Sequence, residues 1–67
     1  MGEEIGQRIA KARKRAKVSA RELARRLDVA PMSVLRWESG ENEIRASQLV
    51  AVARALKVSP RQLLPHR

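Results

Sequence analysis

The chain has 67 residues, with 15 Lys+Arg against 7 Asp+Glu and a formal net charge of +8. That length admits one small domain, residues 1–67, and too little wall for a catalytic pocket. The absence of cysteine removes disulfides, thiolate zinc sites and cysteine nucleophiles.

A first helix is expected over about 3–16. Ile5, Ile9, Ala12 and Ala16 recur at i, i+4, i+7 and i+11 and form one apolar stripe. Glu3 and Glu4 sit in its first turn and Lys14 and Arg15 in its last, both favourable to the helix dipole. Arg8, Lys11 and Arg15 share a separate face, while Arg13 lies on the opposite border of the stripe.

A second helix spans about 20–27. Ser19 with Glu22 three residues on has the form of a capping box. Ala20, Leu23, Ala24 and Leu27 then keep helical spacing. Asp28-Val29-Ala30 interrupt the pattern, and Pro31 suits the first position of a third helix, where its missing N–H costs nothing. That helix runs over 31–38 and stops at Ser39-Gly40, with Gly40 a natural left-handed cap. At about 100° per residue, Val34 and Trp37 face inward. Met32, Leu35 and Arg36 face the other way, with Pro31 and Ser33 at the edges.

A fourth helix covers 46–56 through Leu49, Val52, Ala53 and Leu56. Ser59-Pro60-Arg61-Gln62 then opens a short fifth, 60–64. No strand-like alternation, repeat or linker interrupts these segments. The expected class is all-α: five short helices crossed obliquely around one core, with Trp37 its largest member. Helices two and three, parted by a three-residue turn, match the helix-turn-helix unit over about 20–39, whose second helix lies in the DNA major groove.

The charge points the same way. Residues 1–27 hold nine basic groups against three acids, and the rest of the chain is close to balanced. A membrane is the poorer partner. The apolar run Leu49-Val50-Ala51-Val52-Ala53 is far below the ~18 residues of a spanning helix. The acidic start lacks a signal-like leader, and the most basic segment offers few bulky apolar residues for an interfacial helix. A cytoplasmic protein is expected, with double-stranded DNA as its partner. An enzyme is not expected. His66 is the single histidine, and no carboxylate pair, glycine-rich phosphate loop or metal-ligand cluster accompanies it, so no metal, cofactor or small-molecule substrate is implied.

The sequence resembles the phage repressor/Cro-type helix-turn-helix regulators over roughly 5–64. The resemblance rests on IGQRIAKARKRAKVS for the first helix, ARELARRLDVA for the second, MSVLRWESG for the recognition helix and its exit, and the ending ALKVSPRQLL. It implies a five-helix domain that binds operator DNA as a symmetric dimer, in bacteria or their phages. Carried over by position, Pro31, Met32, Ser33 and Arg36 fall where the family contacts bases or their flanking phosphates. Arg36 is the foremost candidate, since a guanidinium pairs bidentately with guanine, and Met32 or Leu35 suits a thymine methyl. The phosphate contacts implied are Ser19, Ala20 and Arg21 at the start of helix two and Ser39, Asn42 and Arg45 after helix three, with Arg15 as a further candidate. Family members often pair the positions of Arg13 and Glu38 as an ion pair, which here would lock helix one to the recognition helix.

Several positions depart from the family pattern. Lys17, Asp28 and Lys57 stand where glycine is common, and Ala30 replaces a polar cap. Ala20 replaces a residue that is commonly polar and contacts phosphate. Apolar Leu64, Pro65 and Val50 are left over near the C-terminal helices and fit a homodimer contact. The alternative function is a protein-interaction adaptor or antitoxin-like module on the same fold, for which exposed Met32 and Leu35 would be anchors.

Overall fold

In chain order the polypeptide forms α1 (Gly2–Arg15), α2 (Ala20–Leu27), α3 (Pro31–Ser39), α4 (Ala46–Leu56) and a single 3-10 turn, Pro60–Leu63. The computed structural model describes residues 2–65, with side chains from Glu4 to Pro65. His66 and the Glu3 carboxylate lie outside the described residues. No strand occurs among the described residues, and no helix there is long and apolar enough to cross a membrane.

Each helix contributes its apolar stripe to one core. Ile9 comes from α1, Leu23 and Ala24 from α2, and Val34 and Trp37 from α3. Leu49, Val52, Ala53 and Leu56 come from α4, and Leu63 from the 3-10 turn. Ile5, Ala12, Ala20 and Leu27 pack at its edge. Ala16, expected to extend the α1 stripe, is exposed instead, because the helix has ended at Arg15.

The helix ends share one construction. Lys17, Asp28 and Lys57 all adopt left-handed backbone, with φ of 59°, 57° and 59°. Each is followed by a valine whose N–H reaches five residues back: Val18 to Arg13 O, Val29 to Ala24 O and Val58 to Ala53 O, at 2.9–3.1 Å. This double closure satisfies helix-end carbonyls and turns the valine toward the core. Val18 is buried, and Val29 and Val58 pack against the core edge. A left-handed lysine costs about 1 kcal/mol relative to glycine. Burying the valine offsets a strain of that size. The α3 exit uses Gly40 at φ 85°, where no such strain arises.

Two sequence expectations are corrected here. The fifth helix is a four-residue 3-10 turn, not an α-helix over 60–64. Leu64 is extended (φ −98°, ψ 147°) because Pro65 follows it and disfavours helical backbone in the preceding residue. The Ser59–Gln62 box nonetheless forms, with the Ser59 N–H donating to Gln62 Oε1 at 2.9 Å. At Ser19 only half of the box is made. Ser19 Oγ accepts the Glu22 N–H at 3.0 Å, but the Glu22 carboxylate turns to Arg25 and Arg26 instead of returning to the Ser19 N–H.

Candidate nucleic-acid interface

The site is built on α3, and its presentation starts with what holds the inner side of that helix. Val34 is fully buried and Trp37 nearly so. At the C-terminal end α1 crosses against the α3 backbone. A Cβ built on Gly6 would meet Glu38 O at 2.6 Å and Trp37 O closer still. Only glycine permits that approach without displacing a helix.

The crossing is locked by a two-pronged ion pair. Arg13 Nε donates to Glu38 Oε2 at 2.6 Å and Nη2 donates to Oε1 at 3.0 Å, while Nη1 donates to Val18 O at 3.0 Å. The two side chains retain only 12% and 10% exposure. The Glu38 hydrogen bond raises the Arg13 pKa above its ordinary value, against the opposing effect of burial, so the guanidinium stays charged at any working pH.

With its inner side fixed, α3 turns a ridge outward. Pro31, Met32, Leu35 and Arg36 are exposed and Ser33 is half-buried. Met32 and Leu35 keep 52% and 44% of their surface in water. Ala30 provides no side-chain cap, Pro31 has no N–H, and the Ser33 N–H returns to Ala30 O at 2.9 Å, so Met32 supplies the one first-turn N–H of α3 left without a capping partner.

The start of α2 joins this ridge. Ser19, Arg21, Glu22, Arg25, Val29 and Pro31 line one shallow cleft of about 390 Å³, so two helix N-termini open onto the same surface. Ser19 Oγ is occupied as an acceptor but keeps its O–H to donate. Ala20 is half-buried and packs against the core. Arg21 is exposed. Glu22, held by hydrogen bonds from Arg25 and Arg26, has its pKa lowered to about 2, so this carboxylate remains charged but spoken for. Its partner Arg25 has its own pKa raised by the same hydrogen bond.

The far side of the ridge is the loop after α3. Ser39 Oγ donates to Arg36 O at 3.1 Å and accepts the Glu41 N–H at 3.2 Å, so its hydroxyl is engaged within the loop. The Asn42 N–H donates to Arg36 O at 3.3 Å, leaving the exposed Asn42 amide free. Arg45 is exposed at the start of α4 and has no ion-pair partner among the described residues. Arg15 is exposed at the end of α1. It lines a different groove, with Arg8, Lys11, Leu56, Val58 and Gln62, between α1 and the C-terminal elements.

Three contributors escaped sequence reasoning. Gly6 sits in the middle of a helix, where an isolated glycine signals close packing. Gln48 Oε1 accepts the Arg45 N–H at 2.9 Å and so caps α4 where Arg45 itself cannot. Glu41 lies 3.3 Å from Arg36 Nε through Oε2, a contact that exists only because the loop folds back.

Comparisons with known proteins follow the same geometry. The family model described as helix-turn-helix matches residues 9–63. The chain is 38% identical over 60 residues to the HTH-type transcriptional regulator DicA of Escherichia coli, covering 90% of this chain and 44% of that protein. It is 33% identical over 60 residues to repressor protein C2 of Salmonella phage P22, covering 28% of it. The chain thus spans less than half the length of both curated relatives. Among solved structures, the restriction-modification controller protein C.AhdI from Aeromonas hydrophila superposes with a TM-score of 0.89 at 25% identity, covering 94% of this chain and 96% of that one. The P22 c2 repressor in complex with a synthetic operator superposes at 0.80 with 33% identity, covering 90% and 91%.

Proposed function

The chain belongs to the helix-turn-helix family, and from that premise we propose that it binds operator DNA in the major groove and acts as a transcriptional repressor. The observation that carries this is the division of α3: Val34 and Trp37 buried, Arg36, Met32 and Leu35 outward, with Pro31 in the cleft at the α2 N-terminus. A helix locked on one side and bare on the other is what groove insertion requires. The likeness to a repressor solved with its operator supports the same partner.

In this reading Arg36 pairs with a guanine and Met32 or Leu35 meets a thymine methyl, with Pro31 and Ser33 at the groove edge. Phosphates are held by the first-turn N–H groups of α2 at Ala20 and Arg21, by the Ser19 hydroxyl and Arg21 side chain, and by Asn42 and Arg45 across the groove. Ser39 serves by shaping the loop. A protein working on operator DNA acts in the bacterial cytoplasm. Val50 on α4 and Leu64 just after the 3-10 turn, both exposed and apolar, are the residues we assign to a homodimer contact. Such a dimer sets half-sites about 34 Å apart. No enzymatic activity belongs to this reading.

Exposed Met32 and Leu35 also suit an adaptor that docks on another protein. Selection of bound sequences from a random duplex library, followed by titration across salt, separates the two. A symmetric enriched motif, with affinity falling steeply as salt rises, is the expected result. Absence of duplex binding, or binding indifferent to salt, sinks the DNA reading and favours the adaptor.

A further inference from the structure

We propose that Glu41 is a specificity-determining residue, which holds Arg36 by its Nε side and keeps it from serving as a general phosphate contact. The inference rests on the DNA-binding reading above and deepens it.

Glu41 is an acid placed where a nucleic-acid surface would ordinarily exclude one. Its Oε2 lies 3.3 Å from Arg36 Nε, on a side chain that is half-exposed and otherwise unpartnered among the described residues. Its position is not left to a flexible loop. The Glu41 N–H donates to Ser39 Oγ, and Ser39 Oγ and the Asn42 N–H both donate to the carbonyl of Arg36 itself. Gly40 makes the turn, with its N–H on Trp37 O at 3.2 Å. The backbone that carries both side chains is therefore ordered by these bonds.

The chemistry of that contact is asymmetric. The approach at Nε is an exposed ion pair without a hydrogen bond, so the two terminal nitrogens of Arg36 stay free and offer two parallel donors to guanine O6 and N7. An exposed pair of this kind is weak in water, so it limits the reach of Arg36 without stopping it from meeting a base. A stray phosphate has to compete with Glu41 and also suffers its negative charge, whereas a correctly placed guanine can be bound with the pair intact. Glu41 thereby penalises unspecific contacts more than specific ones, a form of discrimination by repulsion. Glu43, the neighbouring acid, has no such contact with Arg36 and supplies the control.

The test is fluorescence anisotropy with two duplexes, the sequence enriched by selection and a scrambled version, for wild type, Glu41→Gln, Glu43→Gln and Arg36→Ala with and without Glu41→Gln. Glu41→Gln is expected to tighten scrambled binding about threefold while changing the enriched duplex less, so that discrimination narrows. Glu43→Gln is expected to move both duplexes alike. In the Arg36→Ala background, Glu41→Gln should also move both alike. If Glu41→Gln shifts the two duplexes by one common factor in the wild-type background, the proposal is overturned while the DNA reading stands. If wild type itself fails to bind duplex or to distinguish the two, the parent reading has failed and the proposal falls with it.

Discussion

The two sides of α3 are held in opposite ways. Its inner side is fixed by a glycine-only helix crossing, a bidentate ion pair at about one-tenth exposure, and a buried tryptophan. Its outer side carries large apolar groups in water and an arginine held only by an exposed carboxylate. The same nine residues thus carry one tightly held face and one uncommitted face. The contrast separates positioning from recognition: a ridge can insert into a groove reproducibly only if its own helix cannot roll.

The sharpest way to break the inner side is Gly6→Ala. The added methyl has backbone in front of it on α3, so α1 must move. A loss of about 3 kcal/mol is expected, at the upper end for forced overpacking. Thermal unfolding by circular dichroism measures it, and a loss below about 1 kcal/mol would mean the crossing is looser than described. Glu38→Ala should come next. It leaves Arg13 with only Val18 O, and removing one member of a desolvated pair costs about 2–4 kcal/mol. Denaturant titration reads that loss, and its persistence at high salt would distinguish a buried pair from a surface one.

Smaller effects sharpen the picture from the helix ends. Lys17→Gly and Lys57→Gly relieve left-handed backbone and should each stabilise by about 0.5–1 kcal/mol, with a rise of a few degrees in melting temperature. A destabilisation on either would show that the lysine stem contributes packing instead. The smallest effect is on pH. The Glu22 carboxyl is held at about 2, below its ordinary 4.5, by Arg25 and Arg26. Its contribution is therefore fully present above pH 4.5 and is lost as pH falls through about 2. A carboxyl-resolved NMR titration should find Glu22 among the last acids to protonate. A midpoint near 4.5 would show the three-residue cluster does not persist in solution.

How much was legible in the sequence differs along the chain. Helical periodicity placed α2, α3 and α4 closely, because Leu23, Val34, Trp37 and Leu56 recur on single faces. The outward turn of Arg36 followed from the same arithmetic. The left-handed sites at Lys17, Asp28 and Lys57 were legible only through the resemblance, since no lysine announces positive φ. The 3-10 turn was misjudged because capping signals mark where a helix starts, and Pro65 decided where it stopped. Gly6 was not found because its role lies against α3 backbone brought near only by tertiary folding, whereas Gln48 and Glu41 act three and five residues along the chain and depend on local turns that periodicity does not read. The shared face of Arg8, Lys11 and Arg15 was legible from helical spacing, but the groove they line was not, since it forms only once α4 and the 3-10 turn pack against α1.

The most direct test of the account compares Arg36→Ala with wild type on the selected duplex and on its scrambled version. Stability should stay within about 0.5 kcal/mol, because the side chain is exposed and weakly paired. Affinity for the selected duplex should fall by about 10- to 100-fold, the value of one bidentate base contact, with little change on the scrambled one. Equal losses on both duplexes would contradict the claim that this ridge reads bases.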